Sequence, residues 1–159
     1  MVKILAPLTD NPNAPDIIGR TPIYEAACRG YTEIVKILAP LTDNPNAPDK
    51  DGDTPIRLAA HEGYTEIVKI LVPLTDNPNA PNKDGDTPIH VAACAGNTEI
   101  VKILIPLTDN PNALNNYGHT PFSIARNAEI RKILKSFNTF KKRKHRALGK
   151  PSKKRAKKF

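Results

Sequence analysis

The chain restates itself every 33 residues: Gly-x-Thr-Pro begins at Gly19, Gly52, Gly85 and Gly118, and Val-Lys-Ile-Leu returns at Val2, Val35, Val68 and Val101. A fixed period of this size is the mark of a solenoid. One unit is too short to bury a core of its own, so neighbouring copies must stack and share apolar faces. The result is an extended wall without a central cleft, a geometry that favours binding over catalysis.

The unit from Asp49 to Pro81 shows how each copy is built. Asp49-Lys50-Asp51-Gly52-Asp53 is a polar turn in which Gly52 supplies a positive φ. Thr54-Pro55 starts a helix, with Thr accepting from exposed amides and Pro sitting where its missing donor is not needed. Ile56, Ala59 and Ala60 line one face at i, i+3 and i+4. Gly63 ends this helix, and Thr65 opens a second whose apolar stripe is Ile67, Val68, Ile70 and Leu71. Pro73 limits it, and Thr75-Asp76-Asn77-Pro78-Asn79-Ala80-Pro81 returns the chain as a loop.

These residues resemble the ankyrin repeat: Asp-x-x-Gly-x-Thr-Pro-Ile, Ala-Ala-x-x-Gly, Glu-Ile-Val-x-x-Leu and Asn-Pro-Asn-Ala recur at the right period over residues 1 to about 137. The resemblance implies an all-α solenoid of stacked helix pairs with polar turns. It divides the chain into a partial repeat at 1–15 (second helix and loop only), full repeats at 16–48, 49–81 and 82–114, a C-terminal capping repeat at 115–137, and a basic tail at 138–159. Two departures touch the end of the second helix. Thr42, Thr75 and Thr108 stand where the family usually has Gly, and Pro40, Pro73 and Pro106 fall in the helix's last turn.

The three complete copies agree at 22 of 33 columns, and nine of the 11 differing columns lie in the turn and first helix. The variable turn positions include Ile17, Ile18 and Arg20, then Lys50, Asp51 and Asp53, then Lys83, Asp84 and Asp86. On the first helices Tyr24, Arg57 and His90 share a column, as do Cys28, His61 and Cys94, and as do Arg29, Glu62 and Ala95. An i, i+4 pair shares a helix face, and this one lies away from the Ile-Ala-Ala stripe. In the ankyrin family the turn tips and first-helix faces form the concave surface that holds partners. The expected surface therefore comprises these turn residues with Tyr24, Arg29, Arg57, His61, Glu62 and His90, extended into the last copy by Tyr117 and His119.

Charge is divided along the chain. Through Phe137 there are 13 Lys and Arg against 16 Asp and Glu, whereas residues 138–159 carry 11 basic and no acidic side chains. Lys141, Lys142, Arg143, Lys144 and Arg146 form one cluster, and Lys153, Lys154, Arg155, Lys157 and Lys158 form another. Blocks of like charge with little apolar surface predict a disordered tail. Two basic clusters around a linker resemble a bipartite nuclear-import signal, to be read by an import receptor. Phosphate contact is the secondary reading, and no aromatic is interleaved for base stacking.

No stretch approaches the ~20 apolar residues of a membrane helix, and Pro7 and Asp10 interrupt the N-terminal apolar run as no signal peptide would. Cys28 and Cys94 lie two periods apart, too far for a disulfide. A reduced intracellular chain, nuclear or cytoplasmic, follows. His90 and Cys94 are i, i+4, yet two ligands fall short of a zinc site, and His90 fits the structural part of His in the family's Thr-Pro-x-His motif. Carboxylates sit in solvated turns, and no nucleophile elbow, phosphate loop or dinucleotide fingerprint is present. The sequence thus reads as a non-catalytic protein-interaction module without cofactor, metal or small-molecule substrate. The alternatives are a nucleic-acid or chromatin binder working through the tail, and a piece of a larger repeat scaffold, since the array opens on a second helix.

Overall fold

The structure is a computed structural model that describes residues 13–148, with side chains through residue 139. Seven α-helices are present among the described residues. Three hairpins come first: α1 (Pro22–Cys28) with α2 (Thr32–Leu38), α3 (Pro55–Glu62) with α4 (Thr65–Leu71), and α5 (Pro88–Ala95) with α6 (Thr98–Leu104). A long helix, α7 (Ala128–Leu148), ends the described part. The first helices stack as α1 on α3 on α5, and the second helices as α2 on α4 on α6 on α7.

Each helix forms for local reasons that the repeat carries. Thr21 and Thr54 accept the amides of Tyr24 and Arg57 at 3.3 and 3.2 Å, and Pro follows at the first helical position. Helices of seven or eight residues are marginal alone in water, so packing must hold them. Ile56, Ala59, Ala60, Ile67, Val68 and Leu71 are wholly buried, and the same columns are buried one period later. At roughly 1.5–3 kcal/mol for each fully buried aliphatic side chain, this shared stripe is the main stabilising term. Gly30 is needed where the copies touch: its φ is 75°, and a Cβ there would meet the Tyr64 ring of the next copy at 2.7 Å.

The recurring prolines act as the sequence implies. Each second α-helix stops at Leu38, Leu71 or Leu104, and one turn of 3₁₀ helix containing Pro40, Pro73 or Pro106 completes it.

The last unit departs from expectation in two respects. Residues 121–124 form a turn instead of a first helix. The Ser123 hydroxyl bonds back to both the amide and the carbonyl of Thr120 at 2.9 Å, and Arg126 N donates to Ala93 O at 2.9 Å. The span from Pro121 to Glu129 is three residues shorter than that from Pro55 to Glu66, which leaves room for a single turn before α7. The second departure is α7 itself, which continues as helix through the first basic cluster to Leu148, where the charge pattern predicts disorder from residue 138. The physical reason is one column: Ser136 stands where the earlier copies carry Pro40, Pro73 and Pro106, and no Pro or Gly interrupts residues 128–148. Lys, Arg and Leu are good helix formers, so nothing stops propagation. The N-terminal residues 1–12 and the second basic cluster, Lys153 to Lys158, lie outside the described residues.

Restoring the missing stop tests this account. Ser136→Pro should end α7 near residue 135, removing about thirteen helical residues by far-UV circular dichroism while leaving the buried Ile130 and Leu134 in place. Unchanged ellipticity would contradict it.

Candidate protein-interaction surface

The turns are built by one side chain. Asp16, Asp49, Asn82 and Asn115 open the four turns, and each Oδ1 accepts two backbone amides of its own turn at 2.9–3.1 Å. Successive turns are then joined edge to edge. Lys50 N donates to Ile18 O, Lys83 N to Asp51 O and Asn116 N to Asp84 O, at 2.8–2.9 Å. The row of tips is therefore a rigid strip whose outward side chains are fixed relative to one another.

Much of the variation between copies lies inside this strip, at the junctions. Tyr24 Oη donates to Asp49 Oδ2 at 2.7 Å. Asn82 Nδ2 donates to Asp53 Oδ1, and Asn115 Nδ2 to Asp86 Oδ1, both at 2.8 Å. The choice of Asp or Asn at the head of each turn follows from its neighbour. Where the preceding copy presents a hydroxyl donor, the acceptor is Asp49; where it presents a carboxylate, the residue is Asn, which keeps the turn-forming oxygen and adds a donor. Tip residues pair across junctions as well: Lys83 Nζ lies 3.3 Å from Asp51, and Tyr117 Oη donates to Asp84 at 3.2 Å.

Three residues expected on the open face are withdrawn from it. Tyr24 is buried, and burial together with its bond to Asp49 pushes its phenol well above the usual tyrosine range. Arg57 keeps 13% of its side chain exposed and pairs with Asp53 at 2.6 Å. His90 has no exposed surface. Its Nδ1 accepts from Thr87 N at 3.3 Å, so Nε2 carries the proton and donates to the carbonyls of Ala113 (3.1 Å) and His119 (3.2 Å) in the next unit. The helical period puts this column away from the Ile-Ala-Ala stripe, but the neighbouring turn covers it.

The remaining expected residues reach solvent in different degrees. Ile17 is 88% exposed, and Ile18, Lys50, Asp51, Lys83 and Asp84 are exposed with it. Arg20 is held between Asp16 (3.0 Å) and Glu25 (2.8 Å), and Arg29 also pairs with Glu25 at 3.2 Å. Glu25 thus stands in a column of Leu58 and Val91 because two guanidinium groups flank it. His61 and Glu62 are exposed and 2.8 Å apart. Tyr117 is 66% exposed and His119 is exposed. Asp53 and Asp86 are half-buried at the junctions. Cys28 and Cys94 are free thiols, the second exposed.

Sequence comparison missed Leu114, which is 66% exposed at the head of the last turn. Its signal was available: Pro48 and Pro81 occupy the same column in the other copies. The tip row therefore carries apolar side chains at both ends, Ile17 and Ile18 at one and Leu114 and Tyr117 at the other, with Lys–Asp pairs between them. Shallow clefts under the loops, lined by repeated Asp, Asn and Thr residues such as Asp76, Asn77 and Thr87 together with Pro81 and Leu107, are open depressions without a convergent set of titratable groups. Among the described residues no helix is long and apolar enough to cross a membrane, and no group of three or more His, Cys, Asp or Glu could hold a metal ion.

Two measurements check these assignments. Asn82→Asp should lower stability by on the order of 1–3 kcal/mol, since it leaves two carboxylates facing each other without the bridging donor. Asp53→Asn should recover part of the loss in the double variant, and additive effects in a urea-denaturation cycle would contradict the pairing. Burial holds the His90 imidazole below the usual histidine range, against the opposing pull of its carbonyl partners and Asp86. The folded ring therefore stays neutral where the unfolded one, with a pKa of about 6.5, takes up a proton. Its contribution is complete above about pH 6.5 and is lost as pH falls toward the depressed folded value. The urea midpoint should accordingly fall more between pH 7.5 and 5.5 in the native chain than in His90→Gln, and equal falls would contradict this.

A family model described as Ankyrin repeats (3 copies) matches the chain over residues 1–82 and 74–144. No curated protein matches it.

Proposed function

Because this chain belongs to the ankyrin-repeat family, whose members are generally protein-interaction modules, we propose that it is a non-catalytic module whose protein partner lies along the row of turn tips and the exposed ends of the first helices. The observation that carries this reading is the tip row itself, a strip braced by cross-unit bonds with apolar side chains standing exposed at each end. Ile17 is 88% exposed, and Tyr117, whose hydroxyl alone is engaged with Asp84, is 66% exposed. Large apolar and aromatic groups on a rigid support are the usual anchors of an interface.

The spacing defines the partner. Three steps of about 8–10 Å between stacked helices separate the two ends by roughly 25–30 Å. A partner that engages both ends presents two apolar contacts at that separation and tolerates the alternating Lys–Asp charge between them. Arg29, His61 and Glu62 flank the strip and supply polar contacts at its rim. The basic clusters retain a separate reading as a nuclear-import signal, which rests on their composition.

Partners captured from the source cells by the intact chain supply the test. Ile17→Ser with Tyr117→Ser should weaken a captured partner by roughly 1–3 kcal/mol per anchor, or tenfold and more in Kd, with only a small fall in the urea midpoint from loss of the exposed Tyr117–Asp84 bond. A partner bound with unchanged affinity by this variant would remove the tip row as its docking surface.

A further inference from the structure

We propose that the basic sector of α7 binds the phosphates of duplex nucleic acid, through exposed residues of the last repeat together with register positions in the basic cluster beyond it. At 100° per residue, Arg131, Lys132, Lys135, Lys142, Arg143 and Arg146 fall in one sector of about 120°. Arg131, Lys132 and Lys135 are exposed. The orientation of the helix is set by its opposite side: Ile130 and Leu134 are wholly buried, and Ile133 and Phe137 pack against the same core. Lys141 and Lys144 hold register positions outside the basic sector.

The strip is long and of one sign. From Arg131 to Arg146 it extends about 22 Å at 1.5 Å per residue, and the sequence has no acidic residue after Glu129. Glu129 itself is turned toward α6, 3.1 Å from Lys102 Nζ. Duplex nucleic acid carries one phosphate per about 3.4 Å of axis on each strand, so a strip of this length spans about six phosphates of one strand.

The buried side of α7 selects among anionic partners. A helix that lies on a membrane, or in the groove of a helix-binding protein, must offer an exposed apolar face. In α7 that face is largely spent on the repeat core. Ile130 and Leu134 are wholly buried, and what stays open of Ile133 and Phe137 is a shallow depression beside Lys132, so charge outweighs apolar surface on the outer side; no aromatic residue holds a register position in the basic sector to stack on bases. Recognition is therefore of backbone phosphate, independent of base sequence. α7 belongs to the layer of second helices, not to the turn row, so this site stands or falls separately from the protein-binding surface.

The intact chain is titrated against a mixed-sequence 20-base-pair duplex by fluorescence anisotropy between 50 and 200 mM salt. Arg131→Gln/Lys132→Gln/Lys135→Gln replaces only exposed groups of the last repeat. The slope of log K against log salt should become shallower by roughly 2 to 3, at about 0.9 for each phosphate that is no longer neutralised. Lys36→Gln/Lys69→Gln/Lys102→Gln removes the same charge from the other second helices and should leave the slope unchanged. An unchanged slope in the α7 variant, an equal change in both variants, or no duplex binding by a chain that binds phosphatidylserine vesicles would each overturn the proposal.

Discussion

No unit of this chain can bury its own apolar face, and that shortfall governs the rest of the structure. Ile56 and its companions become solvent-free only because α1 and α5 lie on either side of α3, and because α2 and α6 do the same for α4. Short helices that would not persist alone are held by neighbours, so stability resides in the junctions more than in the units. Small residues are a consequence. Ala59, Ala60 and Gly30 occur where two copies approach so closely that a larger side chain has no room.

The same dependence explains where the copies differ. A solenoid made of identical units would fit equally well in shifted registers, because every junction would be interchangeable. Here the first junction differs from the other two: Tyr24 meets Asp49, whereas Asp53 meets Asn82 and Asp86 meets Asn115. A slip by one unit would set Tyr24 against Asn82, which loses the charge-assisted bond to Asp49, whereas Asp53 facing Asn115 would still be a matched pair. Polar groups buried at a junction contribute modest net stability when paired and cost more when left unpaired, which is how such contacts specify one arrangement.

The fold was legible in the sequence because period and packing are the same fact seen twice. Gly-x-Thr-Pro marks the helix start, Ala-Ala the close contact and Pro40, Pro73 and Pro106 the end of the α-helix, and each acts through its own backbone. The candidate surface was less legible. Variation among copies marks Tyr24, Arg57 and His90 as strongly as Lys50 or His61, yet the first three vary to suit a neighbouring turn. Helical periodicity assigns a residue to a face of its own helix and carries no information about what covers that face from the next unit. Leu114 was obscured for a related reason: it lies in a loop column where constancy, not variation, was the rule. Ser136 shows the limit of local reading in the last unit, where a serine in the column of Pro40, Pro73 and Pro106 removes a stop.

The end of the array is also where the repeat's constraints relax. In the internal copies the second helix must stop after about two turns, because the chain has to return through Asn-Pro-Asn-Ala to build the next turn against the present one. After Leu134 there is no further turn to build in register, and the proline that enforces the return is absent. The helix then lengthens as far as its own propensity carries it. Its inner side still completes the core left open by α6, through Ile130 and Leu134. On its outer side Arg131, Lys132 and Lys135 are exposed. The lengthened helix is thus the result of one change, the loss of the proline that ends the second helix of each internal copy.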